Sequence, residues 1–380
     1  MTNSRLQVCV FRALKLGDMV CATPALRALR QRFPHAHIAL VGLPWARDFA
    51  RRLVPWVDEF IEFDGHPQLP ERPAPMAVFE AWAARMRARR FDLALQMHGS
   101  GPLSNRIVQA IGARTTAGFF PVGGSWEGLD IACQYPDGVH EVHRQLRLVQ
   151  CLGGPIEERL DDKVAFPLLP DDTDELDRHD DLAALVPGRF VCLHPGARMA
   201  EKRWAAHRFA AVGDALARLG FQVVITGDAS EHRLAEAVRR MMAARALNAA
   251  RDLSVGALAA LLARSRLLVS NDTGVAHIAA ALRLPSVVIF FVTDRLRWAP
   301  LDARRHRCVE PVRDGHRPAS AGVLPADVLA AVQEVLREPW RPAAVTPRRA
   351  TVQEGLLQPE FPAASHRPAQ APRTAAGPAQ

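Results

Sequence analysis

Short apolar runs alternate with longer amphipathic stretches through the first third of the chain. Gln7 to Phe11 predicts a buried strand, Thr23 to Arg32 a helix with Thr23 as its cap and Pro24 at its first position, and His37 to Val41 a second strand. The series continues with helices over Trp45 to Leu53, Met76 to Arg89 and Leu103 to Ile111, and with strands over Phe60 to Phe63, Leu93 to Met97 and Thr115 to Phe119. This alternation predicts a parallel sheet covered by helices.

The pattern changes between Cys151 and Pro187, where a Gly-Gly-Pro turn, scattered prolines and the acidic stretch Asp171 to Asp181 are typical of a linker. Beyond it the alternation starts again. Strands are predicted over Phe190 to His194, Phe221 to Thr226, Leu267 to Ser270 and Ser286 to Phe291, and helices over Ala205 to Leu219, Glu231 to Ala246, Gly256 to Ala263 and Val275 to Leu282. We therefore predict an α/β protein with two Rossmann-like, doubly wound domains, residues 1–170 and 188–338, joined by a linker over 171–187.

A last helix is predicted over Ala326 to Leu336. The residues after it, 339–380, are dominated by Pro and Ala and have almost no periodic apolar positions. Such a segment cannot bury enough surface to offset its chain entropy, so we expect a disordered C-terminal tail.

Composition narrows the class of protein. The 380 residues are 49% hydrophobic and 23% charged, which supplies enough apolar side chain for two buried cores. The longest apolar run is far shorter than the ~20 residues of a membrane-spanning helix. Arg5, Arg12 and Lys15 interrupt the N-terminal apolar stretch before the apolar region of a signal peptide could form. We expect a cytoplasmic protein.

Charge and cysteine content exclude further classes. The formal net charge is +8, but there is no basic run of five residues and only one tyrosine, so no nucleic-acid partner is expected. The charge supports a modest attraction to anionic ligands or a lipid surface. The six cysteines lie far apart without a C-x-x-C pair, and we predict that they are reduced, mostly core residues.

Candidate chemistry lies in the loops after the strands, because ligands of such sheets bind at the carboxyl ends of the strands. Gly17 and Asp18 follow the opening strand. Gly17 permits close backbone approach, and Asp18 could accept a proton from a hydroxyl. Taken alone, Asp18 is more simply a helix or turn cap. The absence of a G-x-G-x-x-G motif argues against a nicotinamide enzyme.

A loop of the second half offers donors for a phosphate. Thr273 and Gly274 stand where a strand ends and a helix begins, and His277 lies one turn further on the same side as Thr273. Asp272 could bind sugar hydroxyls. Ordinary capping and packing explain the same residues when each is taken in isolation.

Two other loops carry charged candidates. Lys202 precedes a predicted helix, where its ammonium would complete an anion site or simply lie in solvent. Glu231 follows Asp228 at the spacing of a capping box, which we favour over contact with a ribose.

Together these motifs resemble those of glycosyltransferase family nine, the bacterial heptosyltransferases of the lipopolysaccharide inner core. The resemblance covers roughly Arg5 to Arg337 and depends on the order and spacing of the motifs. They are Gly17-Asp18 with Thr23-Pro24, Phe91-Asp92-Leu93 through Gln96-Met97-His98-Gly99, His194-Pro195-Gly196-Ala197, Lys202-x-Trp204 and Asp272-Thr273-Gly274-x-x-His277.

The resemblance implies a GT-B fold, in which two Rossmann-like domains face a central cleft, and an inverting, metal-independent glycosyl transfer. The donor would be ADP-heptose or a similar nucleotide sugar, used as a substrate without any cofactor, and the acceptor a lipopolysaccharide core or similar glycolipid or glycan. Asp18 would be the catalytic base. The donor-binding residues would be Lys202, Asp272, Thr273, Gly274, His277 and Glu231. A basic protein of this kind could contact the inner membrane leaflet peripherally.

Two other functions stay open at this point. One is a non-catalytic nucleotide-sugar or glycan-binding protein that keeps the fold, against which the presence of Asp18 argues. The other is a sugar-nucleotide epimerase of similar fold, which would need a pair of catalytic carboxylates that we do not find in the sequence. The acceptor and the linkage position are not fixed by the motifs.

Overall fold

The computed structural model describes residues 5–126, 128–153, 161–311 and 322–340. Its first sheet is six-stranded, wholly parallel and ordered β3-β2-β1-β4-β5-β6. The strands are β1 (Gln7–Phe11), β2 (His37–Gly42), β3 (Glu59–Glu62), β4 (Leu93–Gln96), β5 (Thr115–Phe120) and β6 (Ile131–Gln134). The strand order reverses between β1 and β4, so the loops after these two strands open at the point where such sheets bind ligands.

The second sheet repeats this design with the order β12-β11-β10-β7-β8-β9, again wholly parallel. It consists of β7 (Phe190–His194), β8 (Gln222–Ile225), β9 (Ala246–Asn248), β10 (Leu268–Asn271), β11 (Ser286–Ile289) and β12 (His306–Val309). Here the order reverses between β7 and β10, whose loops contain the candidate residues of the second half except Glu231, which follows β8. The predicted α/β class with two doubly wound domains is confirmed.

Helices cover both sheets. Those of the first half are α1 (Leu16–Arg32), α2 (Ala46–Arg51), α3 (Met76–Ala88), α4 (Pro102–Ala110) and α5 (Glu141–Gln150). The chain continues through α6 (Pro170–Asp177), α7 (Asp180–Ala183), α8 (Ala206–Arg218), α9 (His232–Met241), α10 (Val255–Arg264), α11 (Gly274–Ala281), α12 (Arg295–Trp298) and α13 (Pro325–Val335). No helix in the described ranges combines the length and the apolar character needed to cross a bilayer.

The start of the first helix was predicted wrongly. Helix α1 begins at Leu16, so Pro24 lies inside it instead of at its first position. Proline lacks the N–H that would bond to the carbonyl four residues earlier, that of Val20. The Thr23 hydroxyl donates to this carbonyl at 2.7 Å and satisfies it locally. A proline interior to a helix is tolerated here because its neighbour replaces the lost donor.

The acidic segment predicted as a linker is helical. It contains α6 and α7, and α6 packs against α10 of the second half. Asp172 of α6 is buried and accepts two hydrogen bonds from Arg52, the residue after α2, whose guanidinium also lies 4.7 Å from the ring centre of Phe166. Acidic residues therefore do not indicate solvent exposure here, because one of them has a buried cationic partner.

Two further expectations differ from the structure. Cys133 and Cys151 form a disulfide between β6 and the end of α5, although all six cysteines were expected to be reduced. The predicted tail begins at Pro339, yet Trp340 donates from Nε1 to the carbonyl of Ser265 at 3.0 Å and covers Gly188. The ordered domain thus extends at least to Trp340. The rest of the predicted tail, 341–380, lies outside the described residues.

The buried pair Arg52–Asp172 gives a test of the packing between the two halves. A Cβ at residue 256, on α10, would overlap both the carboxylate and the guanidinium. Gly256→Ala should therefore lower the free energy of unfolding by roughly 2–4 kcal/mol, because a buried ion pair would have to separate. Urea unfolding measures this change.

Gly213→Ala in α8 is the matched control. Its Cβ would meet the flexible end of Met242 at 2.8 Å, which can move aside. Equal loss of stability in the two variants would show that the ion pair is not the constraint.

Candidate active site

The first turns of α1 and α11 meet across the cleft between the two sheets. A Cβ on Gly17 would lie 2.8 Å from Cδ2 of His277, and a Cβ on Gly274 would lie 3.1 Å from Cβ of Leu16. A side chain at position 17 would therefore clash with His277, and one at position 274 would press against Leu16. The structure thereby brings the candidate loop of the first half, with Asp18, against the candidate loop of the second half.

Asp18 lies half-buried in the first turn of α1, where Arg12 holds its backbone in place. Its carbonyl accepts two hydrogen bonds from Arg12, from Nε at 3.0 Å and Nη2 at 2.7 Å. Burial raises the pKa of the Asp18 carboxyl, and Glu141 adds to the effect, while Arg12 and Arg297 oppose it. A carboxylate of raised pKa is a stronger base than an ordinary surface aspartate.

Lys202 and Asp272 form an ion pair beside the N-terminus of α11. Nζ of Lys202 lies 2.9 Å from Oδ2 of Asp272, and the Thr293 hydroxyl donates to the same oxygen. Asp272 is buried, and one-fifth of the Lys202 side chain is exposed. The pairing holds the Lys202 ammonium beside the N-terminus of α11. Both the ammonium and the helix N-terminus are favourable neighbours for an anionic ligand.

Thr273 caps α11 in an unusual way. Its backbone has the extended conformation of an N-cap residue, but its side chain accepts no capping hydrogen bond. Its Oγ1 is buried and has no hydrogen-bond partner among the described residues. A buried unpaired hydroxyl at a helix N-terminus is a donor available to a ligand.

His277 and Glu231 each have a protein partner. His277 is buried, with Nδ1 3.5 Å from Sγ of Cys21. Glu231 forms the predicted capping box, accepting from the Asp228 N–H at 3.2 Å while Asp228 accepts from its N–H at 3.1 Å. Its carboxylate also lies over Gly196, where a Cβ would overlap it, so the cap faces the loop after β7. The roles assigned to the predicted site residues stay predictions.

Several residues of this region were missed from the sequence. Asn271, at the end of β10, donates to the carbonyls of Pro195 and Gly196 at 2.9 and 3.3 Å and accepts from the Trp204 N–H at 3.0 Å. It thus fixes the loop after β7 against β10. A buried amide directly before Asp272 was the available signal, since such a group needs partners.

A second missed group surrounds Glu141 at the start of α5. This buried carboxylate accepts from Arg12, Arg144, Gln145 and Arg297. Burial disfavours its charge, but the three guanidiniums outweigh burial and lower the pKa of Glu141 to about 2. An Arg immediately after a buried strand, as Arg12 stands after β1, was the one signal in the sequence.

The described residues contain no group of three or more His, Cys, Asp or Glu side chains placed to hold a metal ion. The independence of metal implied by the sequence motifs stays a prediction.

Comparison with known proteins assigns the chain to a family. Residues 80–318 match the family model of glycosyltransferase family 9 (heptosyltransferase). Lipopolysaccharide heptosyltransferase 3 of Escherichia coli is 26% identical over 302 residues, which is 75% of this chain and 82% of the relative.

Solved structures share the fold. A glycosyl transferase family 9 protein of Veillonella parvula superposes with a TM-score of 0.75 at 20% identity, over 89% of this chain and 99% of that one. The ADP-heptose lipopolysaccharide heptosyltransferase II of E. coli superposes with a TM-score of 0.70, also at 20% identity, over 87% of this chain and 99% of that one. The GT-B arrangement expected from the sequence is confirmed.

Buried histidines predict how stability depends on pH. Burial lowers the pKa of His98, His194, His277 and His306 to about 4. A depressed pKa means that the stabilisation is complete above the unfolded value of about 6.5 and is lost as the pH falls toward 4. At about pH 5.5 each of these histidines should lower the free energy of unfolding by about 1 kcal/mol.

Urea unfolding between about pH 7.5 and pH 5 measures this loss. His306→Gln, on the edge strand β12, should make the loss shallower, while His207→Gln, exposed on α8, should leave it unchanged. A pH dependence identical in all three proteins would contradict the burial argument.

Proposed function

Because the chain belongs to glycosyltransferase family 9, the heptosyltransferase family, we propose that it transfers a heptose from ADP-heptose to a lipopolysaccharide-core or similar glycan acceptor, with inversion and without a metal ion. The observation that carries the proposal is the meeting of α1 and α11, which brings the half-buried carboxylate of Asp18 near a helix N-terminus where the Thr273 hydroxyl has no partner among the described residues. Such an arrangement has a base on one side of the cleft and an anion site on the other.

Asp18 acts on the acceptor in this mechanism. The acceptor oxygen attacks the anomeric carbon from the face opposite the leaving group, and its proton passes to the Asp18 carboxylate. The bond between the anomeric carbon and the phosphate oxygen breaks, and the pair of electrons leaves with ADP. The raised pKa of Asp18 suits it to accept this proton.

The second half of the chain holds the leaving group. The Thr273 hydroxyl and the first N–H groups of α11 would donate to the diphosphate, and Lys202 would supply a positive charge beside them. In binding the diphosphate, Lys202 would exchange part of its pairing with Asp272 for the ligand, which frees Asp272 for sugar hydroxyls. Glu231, beside Gly196, is assigned to the ribose.

These groups supply charge stabilisation without an ion. Backbone and side-chain donors that are already in place need no reorganisation as the negative charge develops. The protein would work at the cytoplasmic face of the inner membrane, where a glycolipid acceptor is presented.

The direct test follows release of ADP from ADP-heptose, with and without a truncated core acceptor and with and without EDTA. We expect release that depends on acceptor and is unchanged by EDTA, with inverted anomeric configuration in the product. Asp18→Asn should lower turnover by about 100-fold or more while ADP affinity stays nearly the same. Binding of donor without any turnover would favour a non-catalytic sugar-nucleotide-binding protein, and full activity of the variant would return Asp18 to a capping role.

Thr273 provides a test of the donor side. Thr273→Val keeps the shape of the side chain but removes the unpaired hydroxyl, so the unfolding free energy should be unchanged or higher. Affinity for ADP should fall roughly tenfold, since a hydrogen bond to a charged phosphate is lost. Isothermal titration with ADP and urea unfolding measure the two quantities.

Ser270→Ala is the matched control, because Oγ of Ser270 is also buried and unpaired among the described residues but lies within β10. It should leave ADP binding unchanged. Equal affinities of both variants and the parent protein would remove Thr273 from the donor site.

A further inference from the structure

Helix α12 carries an arginine from the second domain to the first. Nη2 and Nε of Arg297 lie 3.0 and 3.2 Å from Oε2 of Glu141, and Nη2 lies 3.2 Å from the hydroxyl of Tyr135. The Glu141 side chain is 4% exposed and that of Arg297 is 35% exposed. Beside this contact, Nε2 of His140 lies 2.7 Å from the carbonyl of Ala299. Two adjacent polar contacts therefore join the domains at one edge of the cleft.

Glu141 connects Arg297 to the candidate base through Arg12. Its other oxygen, Oε1, lies 3.2 Å from Nη2 of Arg12, and Arg12 donates to the Asp18 carbonyl and to the carbonyl of Met97. Hydrogen bonds thus run without a break from α12 through Glu141 and Arg12 to the first turn of α1. Arg12 is fully buried, so it has few alternative positions.

Within the described part of the chain, this path crosses between the domains at one link, the contact of Arg297 with Glu141. Arg12, Arg144 and Gln145 belong to the same domain as Glu141 and would remain beside it if the domains moved apart. Arg297 would leave with α12. Glu141 would still have two cationic partners, so opening the cleft would not leave a buried charge unpaired. This makes the contact suitable for repeated making and breaking.

We propose that Arg297 is a positioning residue, which binds Glu141 when the cleft closes and thereby fixes Arg12 and the first turn of α1 in the orientation that Asp18 needs for catalysis. The inference rests on the proposed function, because it assumes that Asp18 is the base. It assigns to α12 a part in the reaction that neither the motifs nor the donor site contain.

The charges around Asp18 give the inference a signature in pH. From its own domain Asp18 faces Arg12 and Glu141, and from the second domain it faces Arg297. Arg297 lowers the pKa of Asp18, so its arrival on closure favours the ionised, basic form. Its removal should raise the pKa of Asp18 and move the acidic limb of the kcat profile to higher pH.

Other charged groups packed against this turn come from the second domain as well. His277 of α11 contacts Gly17, and burial lowers its pKa to about 4, so it is neutral near pH 7. Lys202 and Asp272 are paired with each other, which leaves little net charge. These groups stay in place when Arg297 is replaced, so the expected shift is due to Arg297.

The test compares Arg297→Gln with Arg295→Gln. Both residues are on α12, but Arg295 pairs with the exposed Glu310 at 3.3 Å and lies beside Cys308, within its own domain. In Arg297→Gln we expect kcat to fall by about 10–100-fold, since small displacements of a catalytic group cost this much. KM for ADP-heptose and the melting temperature should change little, and the acidic limb should move upward. Arg295→Gln should match the parent protein, and Arg297→Lys should recover part of kcat.

Three outcomes decide between the two proposals. A parent protein that releases no ADP contradicts the proposed function. An active parent protein with Arg297→Gln indistinguishable from Arg295→Gln overturns the role of Arg297 alone. A rise in KM without a change in kcat or in the acidic limb would also overturn it, because it would make Arg297 a donor contact.

Discussion

The guanidinium of Arg12 is the interaction on which the rest of the site depends. It is 1% exposed at the end of β1, and its donors reach the carbonyls of Asp18 and Met97 and the carboxylate of Glu141. A buried cation is tolerated only when its donors are satisfied and its charge is matched. These partners come from α1, from the end of β4 and from α5, so the cost of burying one charge is what fixes three elements around the cleft.

The two sheets contribute to the cleft in the same way. Each reverses its strand order near its centre, and the loops at that reversal carry the site, after β1 and β4 in one sheet and after β7 and β10 in the other. Helices α1 and α11 start from these loops and touch directly, since a Cβ on Gly17 would lie 2.8 Å from His277 and one on Gly274 would lie 3.1 Å from Leu16. Their contact brings the two candidate loops together.

Sequence patterns predicted the parts of the fold whose signal is local. The central strands β1 and β7 begin and end where the apolar runs do. The loops after β1 and β10, where the strand order reverses, were also identified as candidate ligand sites. The short edge strands β6, β9 and β12 were missed, because three or four half-buried residues have no clear period. Of the candidate site, Asp18 and the loop after β10 were predicted from strand ends, and their roles stay predictions. The partners of Glu141 were missed, since Arg12 and Arg297 reach it over 129 and 156 residues of chain.

The Thr-Pro pair inside α1 also holds the segment that connects the two domains against this helix. Besides donating to the carbonyl of Val20, the Thr23 hydroxyl accepts the N–H of Ala165 at 2.9 Å. Ala165 lies on the segment that leaves the first domain for the second. One hydroxyl therefore satisfies a free carbonyl within the helix and also holds the segment that connects the two domains. The dipeptide belongs to the motifs that resemble those of a glycosyltransferase family, yet its contacts here are with the protein backbone. They fix the position at which the chain leaves the first domain for the second.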